Sequence, residues 1–220
     1  MKREPLDILE ESVEIPYCSD KLAGVLAYPL TNRPDSTALI VGPHPLMGGR
    51  LENNVIRHVG RGLAEQGLLS LRFRFTEATV SGQVMETFWS TGQAPEDPGR
   101  ADEAVAALAW LERFNAGKVL LIGYSFGASL LYGLIDERTT GVVLIGPTLV
   151  QHDYAELAES GVPKLVFTAD NDFATPLAVT QEWFECAADP KRLVIVPAAE
   201  HFYRGQEQHL VEEIVEWLPA

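Results

Sequence analysis

The chain has 220 residues, 46% hydrophobic and 22% charged, a globular balance with enough apolar surface to fold without help from disulfides or metals. Its 31 acidic against 17 basic residues give a formal charge of -14 spread along the chain, a field that repels phosphate backbones and anionic lipid and argues against nucleic-acid and membrane partners. Cys18 and Cys186 stand far apart with no CxxC or Cys/His ligand spacing, so they read as reduced structural thiols, and no metal site is expected.

The opening "MKREPLDILEESVEIPY" lacks the apolar core of a secretory signal, and a cytoplasmic location is the resulting expectation. Next, "SVEIPY" and "LAGVLAYP" flank the polar "CSDK" and predict an antiparallel hairpin. Six runs then share one pattern: "ALIVG" (38–42), "LLSLRFRF" (68–75), "KVLLIG" (118–123), "GVVLIG" (141–146), "KLVFT" (164–168) and "RLVIVP" (192–197). Continuous branched apolar runs of this length are what strands buried on both faces require.

Helices are predicted between them, over 53–66, 100–114, 126–136, 176–187 and 206–218. The second has an apolar face of Val105, Leu108, Ala109 and Leu111, while the third is apolar nearly all round and is expected to be buried. The uncharged stretch 119–135 is too short and too rich in glycine and serine for a membrane span. Strands alternating with helices imply right-handed crossovers and a mostly parallel sheet covered on both sides, in one α/β domain over 1–220. The longest segment without a period is 76–99, either a cover over a site or an ordinary surface loop, with room for a helical turn in "VMETFWS".

Chemistry concentrates in "LLIGYSFGAS" (120–129), where Ser125 sits in a GxSxG motif between a buried strand and an apolar helix. That context is a strand-turn-helix elbow that projects the serine hydroxyl above the strand ends, with glycines leaving room for strand and helix to approach. The amide of Phe126 would lie at the start of the helix, placed to donate to an oxyanion. A serine needs a base, and a base needs a carboxylate to fix its tautomer. Of five histidines, His58 and His209 lie in helical patterns and His152 in a loop of its own, whereas His201 in "VPAAEHFY" follows the last strand, where a loop crosses the carboxyl ends of the sheet. "FTADNDFATP" offers two acids, Asp170 and Asp172, at the end of the preceding strand. The order serine, acid, histidine is that of α/β-hydrolases.

On these residues the chain resembles the α/β-hydrolases, in particular the small, capless, dienelactone-hydrolase-like group, from "ALIVGPHPLMGG" to "AEHFY". The resemblance implies the α/β-hydrolase fold: a mostly parallel central sheet with an N-terminal antiparallel hairpin and helices on both faces. Aligning "TADNDFATP" with the family's acid segment implies Asp172 over Asp170, and "GPHPLMGG" resembles the loop whose backbone gives a second oxyanion donor, here Leu46. His44 in that loop either braces the turn or contacts substrate, and Tyr124 beside the serine is counted with it as a substrate contact. The chain departs from the family at "RFRFTEATVSG", where a glycine-rich continuation is common, and in having serine where dienelactone hydrolases proper carry cysteine, so the dienelactone substrate is not implied. The 17 residues of 147–163 hold one helix at most, so no separate cap domain is expected.

The expected function is therefore a cofactor-free serine hydrolase cleaving an ester or thioester of a small-molecule acyl substrate. A peptidase or acyltransferase would use the same residues, and a binding protein could keep the fold without the chemistry. A metal-dependent hydrolase has no ligand spacing to rest on. Acidic charge favours neutral or cationic substrates unless Arg50, Arg72 or Arg74 offsets it locally. Oligomeric state carries no sequence signal.

Overall fold

The computed structural model describes residues 5–30, 34–77, 86, 90, 99–115 and 117–218. Among them, strands β1 (Ile8–Tyr17), β2 (Asp20–Pro29), β3 (Ser36–Val41), β4 (Leu69–Arg74), β5 (Lys118–Tyr124), β6 (Thr139–Ile145), β7 (Lys164–Ala169) and β8 (Lys191–Val196) form one sheet in the order β1-β2-β4-β3-β5-β6-β7-β8. The β1–β2 and β2–β4 pairs are antiparallel and the rest are parallel. The hairpin starts at Ile8 rather than at Ser12, because the exposed edge strand β1 alternates polar and apolar residues and lacks the continuous apolar run that marks the inner strands.

Side-chain alternation along the inner strands builds two cores. Leu39, Val41, Val119 and Leu121 face one side, where they meet Leu108 and Leu111 of α2 (Gly99–Leu111) and Ala128 of α3 (Phe126–Ser129). Ala38, Ile40, Leu120 and Ile122 face the other, against Val55, Val59 and Leu63 of α1 (Asn54–Glu65) and Leu210 and Ile214 of α6 (Glu207–Trp217). Helix α1 begins where the Asn53 side chain accepts from the amides of Val55 and Ile56. Two further helices are α4 (Ala155–Glu159) and α5 (Leu177–Cys186).

One expected helix is largely absent. The stretch 126–136 is helical only over Phe126–Ser129, then makes a 3₁₀ turn at Tyr132–Leu134 and becomes extended at Ile135. Tyr132 and Gly133 are exposed, so the segment is not buried all round. Gly127, Ser129 and Gly133 are poor helix formers, and their propensity cost outweighs the apolar composition over so short a segment.

Arg72, on the inner strand β4, is buried and committed to structure: its Nε donates to Leu51 O at 3.0 Å and its Nη1 to Glu10 Oε1 at 2.8 Å. The expectation that it offsets charge near a substrate is thereby corrected. Glu10 also accepts from Arg61 of α1, so one carboxylate ties the edge strand to an inner strand and a helix. Burial raises the Glu10 carboxyl, but the two guanidiniums outweigh it and hold the group below its usual value of 4.5. A carboxyl depressed in the folded state adds stability that is complete above the unfolded value and is lost as pH falls through the folded one. Urea midpoints taken at neutral and acidic pH should therefore show a steeper acid loss for the wild type than for Glu10→Gln; equal losses would remove Glu10 from the acid sensitivity.

Candidate active site

The direction of chain reversal changes at β3, which lies between β4 and β5, and open α/β sheets hold ligands at the carboxyl ends of strands beside such a point. The loops after β3, β5, β6, β7 and β8 all emerge there. Ser125 follows β5 with φ 55° and ψ -122°, in a region that L residues enter at a cost of roughly 1–3 kcal/mol. A Cβ on Gly123 would stand 2.4 Å from Ala128 Cα, and one on Gly127 would stand 2.1 Å from Val41 O. The flanking glycines are thus required by contact between helix α3 and the strands. The Ser125 amide donates to Ile145 O at 2.9 Å, which fixes the turn against β6.

Three predicted residues meet. Ser125 Oγ lies 2.9 Å from His201 Nε2, and His201 Nδ1 lies 2.9 Å from Asp172 Oδ2 and 3.0 Å from Oδ1. A carboxylate only accepts, so Nδ1 carries the proton and Nε2 is left to accept from the serine hydroxyl. All three are buried. Asp172 is itself held by the amides of Ala174 at 2.8 Å and Thr175 at 3.1 Å.

Asp170 has a different job. Its carboxylate accepts from the amides of Ala198 at 2.9 Å and Ala199 at 3.1 Å, anchoring the loop that carries His201. Tyr124, expected to contact substrate, is instead buried beneath that loop, where its hydroxyl donates to His201 O at 3.0 Å. It faces the core because strand alternation points it there, and burial, reinforced by the charges of Asp172 and Glu200, pushes its phenol up and keeps it a donor. His44 is likewise buried, and its Nδ1 accepts from the Leu46 amide at 3.2 Å. It therefore braces the turn over Pro45–Met47 rather than presenting itself to substrate, and the Leu46 amide is turned toward His44.

Comparison with known proteins places the fold. An α/β serine hydrolase homologue from Coxiella burnetii superposes with a TM-score of 0.79 at 25% identity, covering 95% of this chain and 97% of that one. This chain has the α/β-hydrolase fold. Other structures similar to it include a lid-less α/β serine hydrolase from Xanthomonas campestris (TM-score 0.76, 22% identity, 96% of each chain) and a dienelactone hydrolase from Anabaena variabilis (TM-score 0.72, 24% identity, 96% of each chain). In sequence, an uncharacterized protein of Rickettsia prowazekii is 27% identical over 193 residues, 82% of this chain and 77% of its own length. No family model matches.

Within the hydrolase fold, described aromatic rings pack on both His201 and Phe126. Phe173, which is exposed, and Phe202 pack against His201, with ring centroids at 5.2 and 6.1 Å. Phe126 touches His44 at 5.2 Å, His152 at 5.4 Å and Phe75 at 5.9 Å. His152 was not singled out by the sequence, since nothing in "LVQHDY" marks a loop that folds back on the elbow. The expected cover over 76–99 lies almost wholly outside the described residues, of which Glu86 and Ser90 are helical. Its flanks are clasped: Glu103 accepts from the Thr76 amide at 2.9 Å and hydroxyl at 2.6 Å, while Arg100 Nη1 donates to Thr76 O at 2.8 Å and Glu103 Oε1 at 2.9 Å. Among the described residues no group of three or more His, Cys, Asp or Glu is placed to hold a metal, and no helix is long and apolar enough to cross a membrane. Glu103 accepts from the buried Arg100 and from Thr76 twice, so Glu103→Ala should cost about 1–3 kcal/mol in denaturant unfolding by removing these bonds, with Arg100 still donating to Thr76; a loss within 0.5 kcal/mol, roughly the size of an ordinary surface change, would show the clasp to be dispensable.

Proposed function

We propose that the protein is a serine hydrolase that cleaves an ester or thioester through an acyl-enzyme on Ser125. The observation that carries this reading is the continuous hydrogen-bonded line from Asp172 through His201 to Ser125 at the apex of a strained elbow.

Ser125 Oγ attacks the acyl carbon as its proton passes to His201 Nε2, and Asp172 stabilises the imidazolium so formed. Negative charge gathers on the former carbonyl oxygen. The Phe126 amide, the first of helix α3 and so without an intrahelical acceptor, donates to it. The Leu46 amide joins by exchanging its 3.2 Å bond to neutral His44 for a stronger one to the oxyanion. His201 then returns the proton to the departing alcohol or thiol, and the bond between carbon and leaving group breaks. Water, deprotonated by the same histidine, releases the acid and restores Ser125.

An oxyanion hole and acyl-enzyme would serve a thioester as well as an ester, because both steps act on the carbonyl and not on the leaving atom. With Arg72 committed to a buried ion pair and Arg74 paired with Glu77, the substrate that best suits the -14 chain is uncharged or cationic unless exposed Arg50 offsets the charge locally.

Intact mass after a fluorophosphonate probe should show one adduct on the wild type and none on Ser125→Ala. An unlabelled wild type would overturn the proposal. With 4-nitrophenyl esters, Ser125→Ala and His201→Ala should each lower kcat by about four orders of magnitude while circular dichroism is unchanged. Asp172→Asn should lower kcat far more than Asp170→Asn, whose main effect should be on thermal stability; the opposite ranking would reassign the acid.

A further inference from the structure

At the end of strand β6 three consecutive residues, Ile145, Gly146 and Pro147, take no part in the reaction steps, yet each meets one part of the catalytic line. Ile145 O accepts from the Ser125 amide at 2.9 Å. Gly146 lies beside the His201 ring, where a Cβ would stand 3.3 Å from both Cε1 and Nδ1. Pro147 O accepts from the Thr175 hydroxyl at 2.8 Å, and the amide of that threonine donates to Asp172 Oδ1 at 3.1 Å. Ser125, His201 and Asp172 arrive from the ends of β5, β8 and β7, and this short piece of backbone is what all three share.

That piece is rigid enough to serve as a reference. Strand β6 pairs in parallel with β5 and β7, and both its faces are packed, with Val142 and Leu144 in one core and Val143 and Ile145 in the other. The Gly146 amide extends the pairing by donating to Phe167 O of β7 at 3.0 Å. Interiors packed in this way transmit displacement and do not absorb it.

Contact, more than conformation, demands glycine at 146. Its φ is 52°, but Ala198 and Tyr203 in the His201 loop hold φ values of 53° and 49° with side chains in place. A Cβ at 146 would stand 3.3 Å from His201 Cε1 and Nδ1 and from Tyr203 Cε2, closer than the roughly 3.5–4.0 Å at which carbon atoms pack best. Neither ring is free to retreat. Tyr203 is fully buried, with its hydroxyl donating to Phe167 O at 3.4 Å. His201 is buried and bonded at both nitrogens, to Asp172 and to Ser125. A methyl group pressing on Nδ1 and Cε1 would displace the edge that carries the Asp172 bond and turn Nε2 relative to Ser125 Oγ.

We infer that Gly146 is a positioning residue: the absence of its Cβ sets how near the His201 ring lies to the end of β6, and the backbone from Ile145 to Pro147 sets the spacing of the three catalytic groups. This rests on the serine-hydrolase reading of Ser125. Gly146 acts through His201, so a side chain there slows turnover more than it weakens substrate binding.

The test compares Gly146→Ala with Gly67→Ala. Gly67, after helix α1, has φ 97°, and a Cβ there meets only Leu6 Cδ1, at 3.9 Å, among the described residues, so alanine adds backbone strain without touching the site. With 4-nitrophenyl acetate, Gly146→Ala should lower kcat about tenfold to hundredfold and keep KM within about threefold, as a small misplacement of a catalytic group does. Gly67→Ala should keep kcat within about twofold while melting at a lower temperature. The His201 Nδ1 proton, bonded to a carboxylate, should give a proton resonance far downfield of the amides in the wild type; it should shift or broaden in Gly146→Ala and stay in place in Gly67→Ala. Thr175→Val removes the bond to Pro147 O but keeps the amide bond to Asp172, and it should lower kcat about threefold to tenfold and move the same resonance. If the wild type labels at Ser125 and Gly146→Ala keeps its kcat, loses no more of it than Gly67→Ala, or loses it with the resonance unmoved, the positioning role fails and the hydrolase reading stands. If Gly146→Ala does not fold, an unaltered kcat in Thr175→Val overturns the role. If the wild type does not label at Ser125, both fail together.

Discussion

Helix α3 touches the strands with no space for a single methyl group, and the arrangement above the sheet depends on that contact. Backbone at Gly127 lies against Val41 O and Gly42 O, and backbone at Gly123 lies against Ala128. With approach so close, the chain must turn from strand to helix within one residue, and that residue is Ser125, driven to φ 55°. The strain is carried by the stiffest part of the molecule. Strand β5 pairs in parallel register with β3 on one side and β6 on the other, and both faces of those strands are packed. A densely packed interior has no soft direction in which to relax, so backbone geometry fixes the point from which the hydroxyl reaches His201.

His201 is fixed by other means, since it arrives from the far end of the sheet, 76 residues from Ser125. Its loop contains two non-glycine residues at positive φ, Ala198 at 53° and Tyr203 at 49°, which a free loop would avoid. Side chains from the neighbouring strands hold it there. Asp170 takes two of its amides, Tyr124 donates to the histidine's own carbonyl, and Asp172 takes the ring. Two carboxylates two positions apart therefore divide the work, one on the backbone of the loop and one on the side chain it presents.

How much of this could be read from the chain follows from the range of each interaction. The buried strands were legible because burial on both faces writes itself into consecutive residues, and the elbow because its steric demand falls on positions two either side of one serine. His201 was legible from its place after the last strand. The choice between Asp170 and Asp172 was not, from the residues alone; resemblance pointed to Asp172, and only the tertiary path of the His201 loop shows what Asp170 does. Tyr124 was misjudged because adjacency in sequence to Ser125 suggested adjacency to substrate, whereas strand alternation turns it to the core. The helix expected over 126–136 failed because an apolar composition says a segment is sheltered without saying that it can afford a helical backbone through three glycine or serine positions.

That shortened helix and the loop after β6 are linked. Because α3 ends at Ser129, the space beside it is occupied by the segment leading into α4: Tyr154 enters the core, Trp183 Nε1 donates to Tyr154 O at 3.4 Å, and His152 is brought onto Phe126. The filling is incomplete. A cavity of about 280 Å³ remains between Ala101, Ser129, Leu130, Tyr132 and Tyr154. The end of α3 at Ser129 and the packing of His152 on Phe126 thus belong to one arrangement beside the serine, in which a loop from the neighbouring strand takes the place that a longer helix would hold.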